Sequence, residues 1–332
     1  MGELIDALST ALKAGLGFQA IFFALLAIGI NVQFGYTGLL QFGQIAFAML
    51  GAFGIAVSVT QWGLPFWVGV LIGVVASIVL ALLLGLPTLR LRADYLAIAT
   101  IAAAEGLRLL FRSVGSTPVT GGTRGLAAFN RDFISLAPWE TSKRYSILGT
   151  TWSGSELWVV LIGWLVVALS CLLIWLLMRA PWGRVVKSIR EDEDAVRALG
   201  KNVYVYKMQA LVLGGVLGAF AGMVYAVGTG SAIPDQYQNA NTFLAYAALI
   251  LGGAARVLGP VVGAMLLLFI IQFADTGLRT LISKGVIPEG LLTATDVAQI
   301  RFVLVGLGLI LLMVFRPQGI FGDRREVMLD AR

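Results

Sequence analysis

The sequence of 332 residues contains no histidine and a single cysteine. Without histidine, imidazole-based catalysis, haem ligation through imidazole and the common zinc sites are excluded from this sequence. The one thiol, Cys171, lies in an apolar run and can build neither an internal disulfide nor a metal cluster, so we predict that it only packs. We therefore expect no catalytic residue, no metal and no cofactor bound by this chain.

Charged residues are scarce as well. They make up 13% of the chain, against 58% hydrophobic residues, and the mean hydropathy is +0.89. This composition lies far beyond that of a soluble domain and predicts an all-α, polytopic membrane protein. In so apolar a chain, the net charge of +6 favours contact with anionic lipid over nucleic acid.

The apolar runs predict where the chain crosses the membrane, because a spanning helix needs about 20 mainly apolar residues. Two runs are weak: 94–111 contains Glu105 and Arg108, and 243–255 is short, so either is open to being broken or re-entrant. We therefore expect about eight to ten spans in one transmembrane domain over 1–332. The candidate runs are 15–33, 39–60, 65–87, 94–111, 156–178, 207–229, 243–255, 257–276 and 299–315.

Basic residues set the predicted orientation. Lysine and arginine cluster in the connection 179–206 and in the tail 316–332, which places both in the cytoplasm. Counting back along the chain puts Arg90 and Arg92 on the same side and the connection 112–155 outside. The tryptophans that we expect to anchor the outer interface are Trp152 and Trp158.

The stretch "RAPWGRVVKSIREDEDAVRALGKNV" (179–203) has apolar residues at three- and four-residue intervals. This pattern predicts a helix with one apolar face, then an acidic turn and a second helix. The apolar face needs a partner: its basic half favours the inner leaflet, whereas the acidic run 191–194 favours a protein. We predict docking to a protein, with a helix on the membrane surface as the alternative. The apolar residues are Trp182, Val185, Val186, Ile189, Val196 and Leu199.

The stretch "GYTGLLQFGQIAFAMLGAFG" (35–54) is rich in glycine inside an apolar region. Small residues let membrane helices pack closely, and glycine also permits a helix break whose backbone lines a watery path. A second interruption follows near 252–263, as expected if two halves of the chain meet around one path. Packing alone and packing with solute contact both remain open. The residues predicted to line the path are Tyr36, Gly38, Gln41, Gln44, Glu105, Gly252 and Gly253.

Glu105 and Arg108 are three residues apart in a predicted helix, which is close enough for an ion pair. An ionisable residue inside a span is a functional candidate, but structural pairing is the alternative that we favour. Further along, "STPVTGGTRGL" predicts a turn-rich loop, without the preceding strand and following helix that a phosphate-binding loop requires.

The chain has no Walker A motif, since its only Gly-Lys pair, Gly200-Lys201, is followed by Asn202. If ATP drives this protein, another chain must bind the nucleotide. The stretch "WGRVVKSIREDEDAVRALG" resembles the cytoplasmic loop of ABC-transporter permeases for branched-chain and other hydrophobic amino acids. Within it, "DAVRALG" (194–200) resembles a degraded E-A-A-x-x-x-G loop. Five more stretches resemble the same family in the same order: "GYTGLLQFGQIAF", "LPTLRLRADYLAIATIA", "TGGTRGL", "ALILGGAARVLGPVVGA" and "FRPQGIFG".

This resemblance implies a multi-pass permease subunit of a prokaryotic inner membrane. It implies a partner permease, two ATPase subunits that bind ATP and magnesium, an external solute-binding protein and a small neutral amino acid as substrate. Urea or a short amide is the alternative substrate, and a stand-alone carrier or channel the alternative class. Relatives often carry histidine at the position of Gln44, so no role of that histidine transfers. The implied ATPase-docking residues are Trp182, Gly183, Ile189, Arg190, Glu191, Asp192, Asp194, Ala195 and Gly200.

Overall fold

The computed structural model describes residues 2–89, 93–147 and 150–283, with residues 303, 306, 307, 310, 314, 315 and 319–321 of the following segment. The described chain is almost entirely helical. Its helices are α1 Gly2–Leu16, α2 Phe18–Ile30, a π-helical turn Asn31–Tyr36, α3 Gln44–Thr60, α4 Phe66–Thr88, α5 Ala93–Arg112, α6 Thr117–Thr120, α7 Arg131–Ser135, α8 Gly154–Arg179, α9 Pro181–Glu191, α10 Glu193–Ala198, α11 Val203–Thr229, α12 Asn239–Gly252 and α13 Gly259–Ser283.

Among the described residues, five helical segments are long and apolar enough to cross a membrane, and α3 is a shorter apolar helix. The prediction of an all-α, polytopic membrane protein is confirmed. The five segments are Phe18–Tyr36, Phe66–Thr88, Gly154–Arg179, Val203–Thr229 and Gly259–Thr280.

The two weak runs have different outcomes. The run 94–111 is not broken, because α5 continues from Ala93 to Arg112. The run 243–255 ends early, since α12 stops at Gly252. Arg90, Arg92 and most of the candidate run 299–315 lie outside the described residues.

Helix α2 forms the centre of the molecule, with 83% of its spanning window buried, whereas the windows of α4 and α8 are only 28% buried. It packs against α3, α8, α11, α12 and α13. Close approach around this centre depends on glycine: a Cβ at Gly51 would overlap the backbone of Ala219, and one at Gly54 the backbone of Gly73. The predicted close packing of the glycine-rich stretch is confirmed at both positions.

The connection 112–155 is a compact structure made of short helices, 3-10 turns and strands. Strand β1 (Leu126–Ala127) pairs antiparallel with β4 (Ser231–Ala232), while β2 (Arg144–Ile147) and β3 (Thr150–Ser153) form a hairpin. The predicted turns are confirmed by positive φ angles at three glycines. These are Gly121, Gly122 and Gly125, at 75°, 57° and 67°.

The tryptophans of this region pack against the protein. Trp152 is 6% exposed, and its Nε1 donates to Thr150 Oγ1 at 2.5 Å. Trp158 Nε1 donates to the carbonyl oxygen of Phe133 at 3.0 Å. The expectation that Trp152 anchors a lipid interface is therefore wrong, because the ring is buried within the protein, with Lys13 Nζ of α1 4.9 Å from its centroid.

Candidate functional site: the docking loop and the glycine break

Residues 179–206, here called the docking loop, fold as two short helices. Pro181 occupies the first position of α9, and Gly183 lies against α8, where a Cβ would come within 2.5 Å of Met178 Cα. Asp192 ends α9 and caps α10, since its Oδ1 accepts hydrogen bonds from the backbone amides of Asp194 at 3.0 Å and Ala195 at 2.9 Å. The predicted order of helix, acidic turn and helix is confirmed.

The apolar face of the docking loop is covered by this chain itself. Val186 is fully buried in the main core, and Ile189 and Val196 form a second cluster with Val203 at the start of α11. For Val186, Ile189 and Val196 the expectation of a partner protein is therefore wrong, whereas Leu199 of the same predicted face stays exposed. Amphipathic spacing shows that a face is buried, but it does not show which surface buries it. Of the residues assigned to docking, Gly183 and Ile189 thus support the loop from inside.

Trp182 is another docking candidate that the structure places against the chain itself. Its side chain is partly buried, and Nε1 donates to Gln209 Oε1 of α11 at 2.8 Å. This bond fixes the start of α9 to the neighbouring helix. The docking loop is therefore one body with the ends of α8 and α11.

The outward surface of the docking loop combines acidic and small residues. Arg197 donates to Asp194 Oδ1 at 2.9 Å and also pairs with Glu193. Leu199 is 80% exposed, and Gly200 has φ 77° with open space where a Cβ would stand. This surface, here called the outer docking face, combines the exposed docking candidates Glu191, Asp194, Ala195 and Gly200 with two exposed neighbours that were not docking candidates, Ala198 and Leu199. The candidate Asp192 is also exposed, and its side chain caps α10.

Arg190 joins the docking loop to the glycine-rich segment. Its Nη1 donates to the carbonyl oxygen of Gly35 at 2.6 Å. Lys187 Nζ lies 5.7 Å from the centroid of the Tyr36 ring. Gly38 has φ 72°, which favours glycine, and a Cβ there would lie 3.3 Å from Arg190 Cγ. The docking loop and the predicted path residues Tyr36 and Gly38 are therefore in direct contact.

The first helix break, here called the glycine break, covers residues 37–43 between the π-helical turn and α3. Side chains replace some of the missing helical bonds: Thr37 Oγ1 donates to Val32 O at 2.7 Å, and Thr100 Oγ1 accepts from Phe42 N at 3.1 Å. The helix interruption predicted from glycine is confirmed. π-Helical turns occur frequently at functional sites.

A second break lies between α12 and α13, and it contacts the π-helical turn that precedes the first break. Gly253 there has φ 107°, and a Cβ at Gly252 would overlap the carbonyl oxygen of Gly259. Asn31 Nδ2 donates to Arg256 O at 2.8 Å, and Asn31 Oδ1 accepts from Ala255 N at 2.8 Å. Asn31 was not among the predicted path residues, although an amide side chain inside a predicted span was a signal for it.

The two predicted path glutamines have different environments. Gln44 Nε2 donates to Gly214 O at 2.7 Å, and a Cβ at Gly29 would lie 2.5 Å from that same nitrogen. Gln44 therefore joins α3 to α11 where glycine leaves room. Gln41 is fully buried, yet neither polar atom of its side chain has a hydrogen-bond partner among the described residues. Each unpaired buried polar group costs about 1–3 kcal/mol. A polar group that hydrogen-bonds to the Gln41 amide would therefore recover part of this cost.

Glu105 belongs to an ion-pair network away from the docking loop. Arg108 donates through Nε to Glu105 Oε2 at 3.0 Å and through Nη2 to Glu105 Oε1 at 2.5 Å. Arg108 also bonds Asp235 Oδ1 at 2.5 Å, and Arg112 Nε lies 3.3 Å from Asp235 Oδ2. The predicted pairing of Glu105 with Arg108 is confirmed. No sequence pattern indicated Asp235, which lies in the connection between β4 and α12.

Comparison with known families decides the class of this chain. Residues 14–314 match the family described as "Branched-chain amino acid transport system / permease component". The chain belongs to this permease family. The LivM "High-affinity branched-chain amino acid transport system permease protein" of Escherichia coli strain K12 is 30% identical over 307 residues, which cover 90% of this chain and 67% of that protein.

Other relatives of the permease extend the comparison. A "Probable branched-chain amino acid transport permease protein LivM" of Methanocaldococcus jannaschii is 22% identical, covering 90% of each chain. An "Autoinducer 2 import system permease protein LsrC" of Klebsiella pneumoniae is 37% identical over 117 residues, 35% of this chain and 34% of that protein. A structure of "PsaBC from Streptococcus pneumoniae in complex with Fab" matches with a TM-score of 0.46 and 13% sequence identity. The match covers 100% of this chain and 99% of that one, but a similarity this low supports no conclusion about function.

As a member of this family, the chain is a multi-pass permease of the prokaryotic plasma membrane. Three features form the candidate site of the permease: the docking loop, the two helix breaks with the π-helical turn whose Asn31 contacts the second of them, and the unpaired amide of Gln41. Within the described ranges, the structure contains no cluster of three or more cysteine, aspartate or glutamate side chains that could hold a metal ion.

Proposed function

We propose that this permease is the membrane subunit of an ATP-driven importer and that its ATPase docks on the outer docking face. One observation carries the proposal: a loop with an exposed acidic and small-residue surface bonds directly, through Arg190, to the carbonyl oxygen of Gly35 in the π-helical turn that leads into the glycine break. The family match to branched-chain amino acid transport permeases supports it.

The assembly contains further chains. A second permease of the same fold completes the membrane part, two ATPase subunits bind ATP and magnesium on the predicted cytoplasmic side, and an external binding protein delivers the solute. The lack of a Walker A motif in this sequence fits ATP binding elsewhere. The resemblance of "DAVRALG" to an ATPase-contacting loop, with Ala195 and Gly200 exposed, supports the docking assignment.

Movement of the ATPase reaches the membrane through contacts that are already in place. The docking loop is fixed to α8 at Gly183 and to α11 through Trp182 and Gln209, so it moves with the ends of both helices. Arg190 carries the movement to the glycine break, and Asn31 carries it on to the second break. Two irregular segments in contact provide a place where rocking of the permeases opens and closes the path.

The solute is a branched-chain or another neutral amino acid. Relatives named for branched-chain amino acid transport support this class. The unpaired amide of Gln41, held near Tyr246 by the bond from Tyr246 Oη to Gln41 O at 2.7 Å, offers Nε2 as a donor to the carboxylate and Oε1 as an acceptor for the ammonium group of a passing amino acid. Because little affinity is needed in the membrane when a binding protein delivers the solute, one weak polar contact is enough.

Uptake in proteoliposomes tests this function. We would reconstitute the permease with its encoded neighbours and measure labelled leucine uptake with and without ATP and binding protein, in competition with alanine, glutamate and urea. The proposal expects uptake that needs both additions and is blocked by alanine. Uptake by this chain alone would make it a carrier or channel, and competition by urea alone would overturn the substrate class.

A further inference from the structure

A cavity of about 300 Å³ lies between the docking loop and the glycine break. Residues 37–40 of the break form one part of its wall, and Arg190, Glu193 and Lys207 contribute charged groups. It thus touches the docking loop, the glycine break and the start of α11 together. The proposed transport cycle moves all three of these elements.

The cavity has fixed charges of both signs. Lys207 Nζ pairs with Glu193, which also accepts from Arg197. The side chains of Lys207 and Glu193 keep 17% and 34% of their surface exposed, and Arg190 is held by its bond to Gly35 O. A ligand with one carboxylate and one ammonium group would bind here by separating the Lys207–Glu193 pair and replacing it with one contact to each side chain.

Aliphatic side chains form another part of the wall. The side chains of Leu39, Leu89, Leu96 and Ile189 line the cavity, and each is less than a tenth exposed. Charges of both signs beside aliphatic side chains are the groups needed to recognise an apolar α-amino acid. The volume lies at the lower end of the range of about 300–1,000 Å³ that is typical of small-molecule sites.

We propose that this cavity binds a free apolar α-amino acid from the side of the docking loop, and that its occupation slows transport. The inference rests on the proposed function and adds a regulatory site to it. A ligand that contacts residues 37–40, Glu193 and Lys207 together favours the arrangement of these elements seen here and opposes their relative movement. The transported product would then inhibit its own import.

The test uses vesicles that contain the assembled transporter, with ATP in the lumen and loaded binding protein outside. The lumen is preloaded with one of four compounds: L-leucine, L-leucinol, 4-methylpentanoate or inorganic phosphate. L-leucinol lacks the carboxylate of leucine, and 4-methylpentanoate lacks its ammonium group. Initial uptake of labelled leucine and ATP hydrolysis are both measured. We expect luminal L-leucine alone to lower both rates, by about fivefold or more. Equal inhibition by phosphate or by either analogue would overturn the site's assigned chemistry.

Variants locate the effect, with inhibition expressed as the ratio of rates with and without luminal leucine. Lys207→Gln should abolish the inhibition, and Lys207→Arg should preserve it. Lys143→Gln is the control, because it changes an exposed lysine of the 112–155 connection, and it should leave the inhibition at the wild-type value. Inhibition of Lys207→Gln equal to wild type would contradict the location. If Lys207→Gln does not assemble, the four luminal compounds still decide the chemistry on the wild-type protein.

The two proposals fail in different ways. If ATP-dependent uptake proceeds at the same rate in empty vesicles and in vesicles preloaded with leucine, the inhibitory site is overturned and the importer function stands. An absence of ATP-dependent uptake in empty vesicles would overturn the proposed function, and the inhibitory site with it.

Discussion

Arg190 of α9 donates a hydrogen bond through Nη1 to the carbonyl oxygen of Gly35, 155 residues away in the chain, at 2.6 Å. This bond connects the surface proposed to receive the ATPase with the end of the buried central helix. Because the same helix end bonds the second break through Asn31, one contact links the docking loop to both irregular segments.

Removing the Arg190 donor should uncouple ATP hydrolysis from transport. A hydrogen bond from a charged group contributes about 1.5–3 kcal/mol, so Arg190→Met should lower the leucine transported per ATP by about tenfold or more. Arg190→Lys should retain part of the coupling, and Arg184→Met removes a guanidinium from the same helix as a control. The ratio of uptake to phosphate release in proteoliposomes measures the effect. An unchanged ratio in Arg190→Met would show that the bond transmits nothing.

Gly200 tests the outer docking face. Its φ of 77° strains any side chain by about 1–2 kcal/mol, so Gly200→Glu alone would mix strain with loss of contact. Gly200→Ala carries the same strain without the bulk and charge. We expect Gly200→Glu to abolish co-purification of the ATPase and ATP-driven uptake, with normal membrane insertion, and Gly200→Ala to weaken both only a few-fold. Equal loss in both variants would assign the effect to backbone strain.

Asp192 is expected to act as a helix cap. Losing a capping side chain costs about 1 kcal/mol, so Asp192→Ala should loosen α10 while Asp192→Asn, which keeps the acceptor, should not. Hydrogen exchange of the backbone amides of Glu193–Ala198 measures this, and we expect exchange about fivefold faster in Asp192→Ala. Identical exchange in both variants would remove the capping role.

Gln41 and Gln44 form a matched pair of buried amides with opposite predictions. Gln44→Met leaves Gly214 O without its donor and should lower the free energy of unfolding by about 1 kcal/mol or more. Gln41→Met removes two unpaired buried atoms, so stability should be unchanged or higher while leucine uptake falls. Unfolding transitions in detergent and uptake assays measure the two effects. A less stable Gln41→Met protein with normal uptake would make this amide structural.

Glycine packing around the central helix should resist even one methyl group. Gly222→Ala places a Cβ into the backbone of Ala48, whereas Gly277→Ala in α13 has open space within 4 Å. We expect Gly222→Ala to lower the melting temperature clearly and Gly277→Ala to leave it unchanged or slightly raised, since alanine favours helix. Comparable melting of both variants would contradict the close packing.

Local patterns predicted much of this protein. The apolar runs located α4, α8 and α11, and the spacing in residues 179–203 predicted two helices around an acidic turn, because these signals depend on neighbouring residues alone. Glycine in 35–54 likewise predicted an interrupted helix, although the π-helical form of Asn31–Tyr36 was not predicted.

Long-range contacts were not predictable from these patterns. Asn31 meets Ala255 across 224 residues, and Arg108 meets Asp235 across 127. Nothing in the sequence near either residue specifies the distant partner. The prediction of a partner for the apolar face of α9 was wrong for the same reason. The spacing of its residues predicts burial, but only the tertiary fold decides that the start of α11 covers Ile189.

Protection of the outer docking face by the ATPase tests the central claim most directly. In a Cys171→Ser background, the Leu199→Cys variant carries one thiol at a position that is 80% exposed in the wild type, and Glu140→Cys carries one in the 112–155 connection as a control. The rate of labelling by a water-soluble maleimide is measured in permeabilised vesicles with and without the ATPase subunits. We predict that the ATPase slows labelling at position 199 by about tenfold and leaves position 140 unaffected. Unchanged labelling at position 199 in a complex that still imports leucine would contradict docking at this loop.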